Sequence, residues 1–133
     1  MKKLLFLFSA LLFISCSGDD DSSSNDTSID PPNWIQGRWH TQVNGVDFDS
    51  GFEFKKNDFC IVNGNYSQCY QSSIDLLSQN SNEVSVKEEI SSDRYFIELT
   101  MVSQIVTYEF EKVSESIIRQ VFSNNYSEYH LVD

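Results

Sequence analysis

The sequence predicts an all-β fold, a small antiparallel meander barrel of about eight strands. Three observations carry the prediction. Apolar and polar residues alternate with period two through much of the second half of the chain, as half-buried strands require. Residues that suit a pleated surface are abundant, with ten phenylalanines, six tyrosines and two tryptophans among 133 residues. Turn signals recur at short intervals, which leaves room for strands and not for long helices.

Residues 1–15 read as a lipoprotein signal peptide. Lys2 and Lys3 precede an apolar run from Leu4 to Ile14, and the small Ser15 follows. That order marks a secretory leader, and the run is short for a membrane span. Phe13-Ile14-Ser15-Cys16 resembles the lipobox of bacterial lipoproteins. The resemblance implies that Cys16 carries palmitate or a related acyl chain and becomes the mature N-terminus. Residues 16–32 read as an acidic Ser/Asp-rich tether. Between Ser17 and Asp30 its one large apolar residue is Ile29, too little to offset ordering, and Pro31-Pro32 ends it. Ser17-Gly18-Asp19-Asp20-Asp21 also resembles the surface-export signal of Bacteroidota lipoproteins. That implies an outer membrane lipoprotein at the cell surface, or otherwise on the periplasmic face. Residues 33–133 are left as one domain with a single modest core.

Within that domain, residues 32–36 suggest one turn of helix before the first strand. Phe52-Glu53-Phe54 alternates, as do residues 83–90, with Val84 and Val86 on one face. Residues 95–101 put Tyr95, Ile97, Leu99 and Met101 together; residues 106–112 put Val106, Tyr108 and Phe110 opposite Thr107, Glu109 and Glu111. Residues 116–122 and 126–132 close the domain. Turn signals stand at Asn44-Gly45 and at 56–58, 63–65, 79–82, 91–93, 114–115 and 124–125. No other helical stretch is expected, so a parallel β-α-β architecture is excluded.

Cys60 and Cys69 remain once Cys16 is lipidated, in a compartment that permits disulfides. If Gly64-Asn65 forms a two-residue turn, Cys60 falls opposite Cys69 at a non-hydrogen-bonded position within bridging distance. If Asn63-Gly64 turns instead, Cys60 faces Ser67 and both thiols stay free. Neither cysteine has a second cysteine or a histidine at ligand spacing, so no metal is assigned.

After loss of the leader, seven basic residues face twenty acidic ones, a formal charge of −13. That balance excludes nucleic acid as a partner and electrostatic docking on anionic lipid. It permits a basic protein partner.

Trp34-Ile35-Gln36-Gly37-Arg38-Trp39-His40 resembles the opening of a lipocalin-type barrel. Across about a hundred residues the domain is similar to the small lipocalin-like lipoproteins of Bacteroidota. The resemblance implies that Gly37 bends the chain and Trp39 plugs the closed end. The arginine that stacks on that tryptophan in the family has Arg119 as its candidate here.

Catalytic chemistry has no constellation to rest on. His40 alternates with Trp39 and His130 with Leu131, so both are expected to face solvent, and no serine sits in a nucleophile elbow. The carboxylates of Asp47, Asp49 and Glu53 are spaced as in a calcium loop, but the glycine and the twelfth residue do not fit. The sequence therefore predicts no enzyme, no cofactor and no metal. It predicts a lipid-anchored binding protein, with a small apolar molecule in the barrel as the candidate ligand. A barrel this rich in bulky aromatics is expected to be filled rather than hollow. The alternative is a protein-interaction module or inhibitor of a basic enzyme acting through the acidic outer face; Ser91-Ser92-Asp93-Arg94-Tyr95 resembles a loop of membrane-bound lysozyme inhibitors.

Overall fold

A computed structural model describes residues 26–132. The leader and Cys16 lie outside the described residues. Nine antiparallel strands form one sheet: β1 (Gly37–Val43), β2 (Val46–Lys55), β3 (Asp58–Asn63), β4 (Tyr66–Cys69), β5 (Val84–Ile90), β6 (Arg94–Met101), β7 (Gln104–Lys112), β8 (Ile117–Phe122) and β9 (Asn125–Val132). Their order is β4-β3-β2-β1-β9-β8-β7-β6-β5, so two meanders meet where the first strand pairs with the last. The sheet curls into a half-barrel that stays open between β4 and β5. This corrects the expectation of a closed barrel of about eight strands.

The helix α1 (Gln71–Ser78) joins the two edge strands and buries Ile74 in the core. No such helix was expected from the sequence. Its first-turn N–H is satisfied from outside the segment, since Gln71 N–H donates to Asp58 Oδ1 at 3.0 Å. The tether also ends earlier than the sequence suggests. Residues 26–32 pack along the edge of β5: Val86 N–H donates to Asp26 O at 2.6 Å, and Ile29 is 1 % exposed within the core. The Gln71 amide holds this strap from both sides, accepting from Ile29 N–H and donating to Thr27 O, each at 2.8 Å.

Aromatic rings fill the concave side. Phe52 lies at the centre, with Phe54, Phe59, Tyr108, Phe110 and Tyr129 rings between 4.9 and 6.2 Å away. Trp39, Ile35, Tyr95, Leu99 and Ile118 complete the core at 1 % exposure or less. The base is the end bearing the turns at 56–57, 91–93 and 113–116; the mouth is the opposite end.

Candidate functional site

The β3–β4 hairpin takes the register that opposes the cysteines. Cys60 pairs with Cys69 and Asn63 with Tyr66 around Gly64-Asn65. Gly64 has φ +59, the left-handed first position that a type II′ turn demands. Cys60 and Cys69 form a disulfide with Cα atoms 4.0 Å apart. Asp58 lies close to the two sulfurs, but both are consumed in the bridge and offer no free thiolate to a metal.

Trp39 is buried, and its Nε1–H donates to Ile35 O at 2.7 Å, tying the first strand to the turn before it. Gly37 has φ +133, and a Cβ there would stand 2.8 Å from Leu131 Cδ1. Arg119 does not reach Trp39. It lies over the Tyr126 ring at 4.2 Å and donates from Nε to Glu128 Oε2 at 2.8 Å.

His40 departs from expectation. It occupies the face opposite Trp39, as alternation requires, yet it is only 4 % exposed. The register slips between His40 and Gln42, and the resulting bulge in β2 carries Asp47 and Asp49 over the ring. His40 Nδ1 lies 3.0 Å from both Asp47 oxygens, and Nε2 is 3.5 Å from Asp49 Oδ1 without a hydrogen bond. The Asp47 carboxyl is held below its ordinary range, first by the backbone N–H of Asp49 and then by His40. His130 sits beside His40 on β9 and is half-buried.

A further opening in the wall lies elsewhere. β6 and β7 stay paired from Arg94↔Glu111 to Met101↔Gln104, and β8 and β9 from Ile117↔His130 to Phe122↔Asn125. β7 and β8 pair at only three positions near the base, Phe110↔Gln120, Glu111↔Arg119 and Lys112↔Ile118. β1 and β9 also pair at three, Arg38↔Val132 to His40↔His130. The mouth half of the β8–β9 hairpin therefore lacks a ladder on either flank.

Between β7 and β8 this leaves a seam with a cavity of about 540 Å³, lined by Phe96, Thr107, Glu109 and Val121 from the outer face and Tyr108, Gln120 and Phe122 from the inner one. Its volume is in the range of small-ligand sites. Tyr108 Oη shares a 2.8 Å hydrogen bond with Tyr70 Oη, and burial followed by that bond pushes its phenol well up. Tyr129 donates to Gln120 Oε1 at 3.2 Å. On the outer lip Arg94 Nε donates to Glu109 Oε1 at 2.6 Å, so that carboxylate is matched locally. A second hollow of about 510 Å³ lies beside the strap, bordered by Ile29, Lys56 and Gln71, where the side chains already hold the strap in place.

The sequence placed Tyr108 and Phe110 on one face and Glu109 on the other, as found, but gave no sign of the seam. Ladder length depends on how far two hairpins diverge, which alternation does not encode. Compared with protein-family models, curated proteins and solved structures, the chain matches none.

Proposed function

We propose that this chain is a lipid-anchored, outward-facing binding protein of lipocalin-like type, and that its ligand enters the β7–β8 seam. The observation that carries this reading is the seam itself, an opening with an aromatic floor and polar side chains at its edge. The concave interior is occupied by rings, so a ligand has room in the wall and not at the barrel centre. This shifts the expected apolar-ligand site from the interior to the seam. The lipobox at Cys16 and the acidic run behind it support display beyond the cytoplasm. Residues 26–32 belong to the packed body, which therefore begins ten residues after Cys16 in the sequence. Ten residues of fully extended chain span at most about 36 Å, so acylation at Cys16 would keep Asp26 within that distance of the lipid.

The test uses the full chain extracted from its native membranes. Radiolabelled palmitate is incorporated by the wild type and not by Cys16→Ser. Native mass spectrometry finds a bound species on the wild type that is lost in Thr107→Trp, whose indole fills the seam. Equal occupancy in both proteins refutes the seam as the site.

A further inference from the structure

The two ends of the sheet differ in chemistry. Resting on the acyl anchor at Cys16, we propose that the mouth end docks on a lipid bilayer, with the tips of the β1–β2, β6–β7 and β8–β9 hairpins entering its interface. From His40↔His130 the β1–β2 and β8–β9 hairpins run on toward turns that begin past Val43 and Phe122, and β6–β7 runs on from Tyr95↔Phe110 to a turn past Met101. Each tip exposes large apolar side chains: Val46 and Phe48 on the first, Val102 and Ile105 on the second, Phe122 and Tyr126 on the third. Such side chains gathered at one end mark a surface that meets a partner. Residues 43–46, 99–106 and 120–127 contain no Asp, Glu, Lys or Arg, although nine basic and twenty acidic residues are spread through the chain. The base turns carry Lys55, Lys56 and Asp58, then Asp93 and Arg94, then Lys112. Next to the mouth tips, Asp47 and Asp49 are turned onto the His40 ring, and Glu83 stands exposed at the entry to β5.

The path of the strap says why the partner is a bilayer. Val86 N–H donates to Asp26 O, Asp30 N–H to the Glu88 carboxylate, and Trp34 Nε1–H to Ser91 O. The strap therefore runs beside β5 from mouth to base, and its residue closest in sequence to Cys16 is also the one closest to the mouth. Asp26 stands level with Val86, two residues from the start of β5 at Val84, or about 7 Å along the strand. An acyl chain on Cys16 thus holds the body from its mouth side. Uncharged tips can leave water there at little cost, and each apolar side chain that does so contributes by its buried area. Tyr126 suits the boundary in particular, since its ring is apolar and its hydroxyl is not. The contact is apolar and not electrostatic, so the chain's net charge of −11 does not oppose it on neutral lipid.

The test places the full-length chain, purified from its native membranes, in phosphatidylcholine vesicles with and without bromine on the acyl chains. Trp34 and Trp39 report the base, where Trp34 is bonded to Ser91 O and Trp39 to Ile35 O. Phe48→Trp and Ile105→Trp, made separately, put a new indole on two different tips. Each new indole is expected to lose about half its emission to bromine, since side chains docked at the interface bury about 5–10 Å into the headgroup and acyl boundary. Wild-type emission is expected to stay unchanged. Two sites are used so that a variant that does not fold leaves the other to decide. An unquenched indole in a folded variant, or quenching of the wild type, overturns the proposal. So does a new indole shielded from aqueous acrylamide but untouched by bromine, because a protein would then cover the end. Palmitate label on the same preparations separates this from the anchor reading. Label without quenching leaves the anchor and sinks the docking; quenching without label keeps the docking and sinks the anchor; the absence of both sinks both.

Discussion

Removing the Cys60–Cys69 bridge tests whether the β3–β4 hairpin holds by its own ladder or by the covalent link. The edge strand β4 is four residues long, and Tyr66, Ser67 and Gln68 are exposed. It has β3 on one side only, through four register pairs. The cysteines are nine residues apart in sequence. For a closed loop of about ten residues the chain-entropy treatment gives about 2.7 kcal/mol at 25 °C. Truncating the buried Cys60 side chain to Ala adds about 1 kcal/mol. The double variant Cys60→Ala/Cys69→Ala is therefore expected to lose about 3–4 kcal/mol. With a urea slope of about 1.5 kcal/mol/M, the unfolding midpoint falls by roughly 2 M. Hydrogen exchange locates the loss: amides at 66–69 exchange quickly in the variant, while β2–β3 pairs such as Phe54↔Phe59 stay protected. Treating the wild type with a phosphine reductant should reproduce most of the shift. A midpoint change under roughly 0.5 M, or unchanged protection at 66–69, would refute the reasoning, because the ladder alone would then suffice to hold the edge.

The legibility of the sequence varied with how local the determining contact is. The alternation at 95–101 and 106–112 gave both strands and both faces, since a period of two decides which side each residue takes. The Cys60↔Cys69 register followed from a single turn. His40 shows the limit of the same logic: alternation gave its face, but its burial comes from the Asp47–Asp49 bulge folding over it, a slip in register that the pattern does not announce. The sequence does not announce helix α1, because Tyr70 at its start has no capping side chain and the acceptor for Gln71 lies thirteen residues upstream on Asp58. Composition reads residues 26–32 as tether because it sees one isoleucine among polar residues. It does not see that Gln71 supplies the hydrogen bonds that fix Ile29 in the core.

Three further outcomes follow from single contacts. Val102 has φ +57 in the β6–β7 turn, a conformation that costs a β-branched residue about 1 kcal/mol, so Val102→Asn should raise Tm by about 4–8 °C in calorimetry. Trp39→Phe leaves Ile35 O without the 2.7 Å Nε1–H donor in a buried place and should cost about 1–3 kcal/mol in chemical denaturation, beyond any lost area. Burial, with the charges of Asp30 and Asp26 adding to it, lifts Glu88 above its ordinary 4.5 against hydrogen bonds from Tyr95 and from Asp30 N–H. The folded chain thus binds this proton more tightly than the unfolded one, so its contribution is present below pH 4.5 and lost as pH rises through the folded-state value. Glu88→Gln, fixed neutral, should gain on the wild type as pH rises from 4.5 to 7 and show no such gain below; a constant difference across that range would contradict the assignment.

The seam and the core occupy different parts of the molecule: the seam lies at the mouth end of β7 and β8, and the packed rings lie around Phe52. The rings around Phe52 are joined to β8 through Phe110, which still has Gln120 opposite it. Beyond that pair the β8–β9 hairpin contributes little burial: Phe122 is 47 % and Tyr126 57 % exposed. Moving this half of the hairpin exposes little apolar surface that is not already wet, so its displacement costs far less than the same shift at Ile118, which is fully buried. The disulfide, the strap and the Trp39 anchor act on the base or on the far edge. A substitution that weakens those contacts should lower global stability and leave seam occupancy per folded molecule unchanged. Thr107→Trp should do the reverse, since Thr107 is exposed and lines only the opening. Stability and seam occupancy should then be separable by residue, as expected if a ligand sits in the wall and not in a core that must be emptied to receive it.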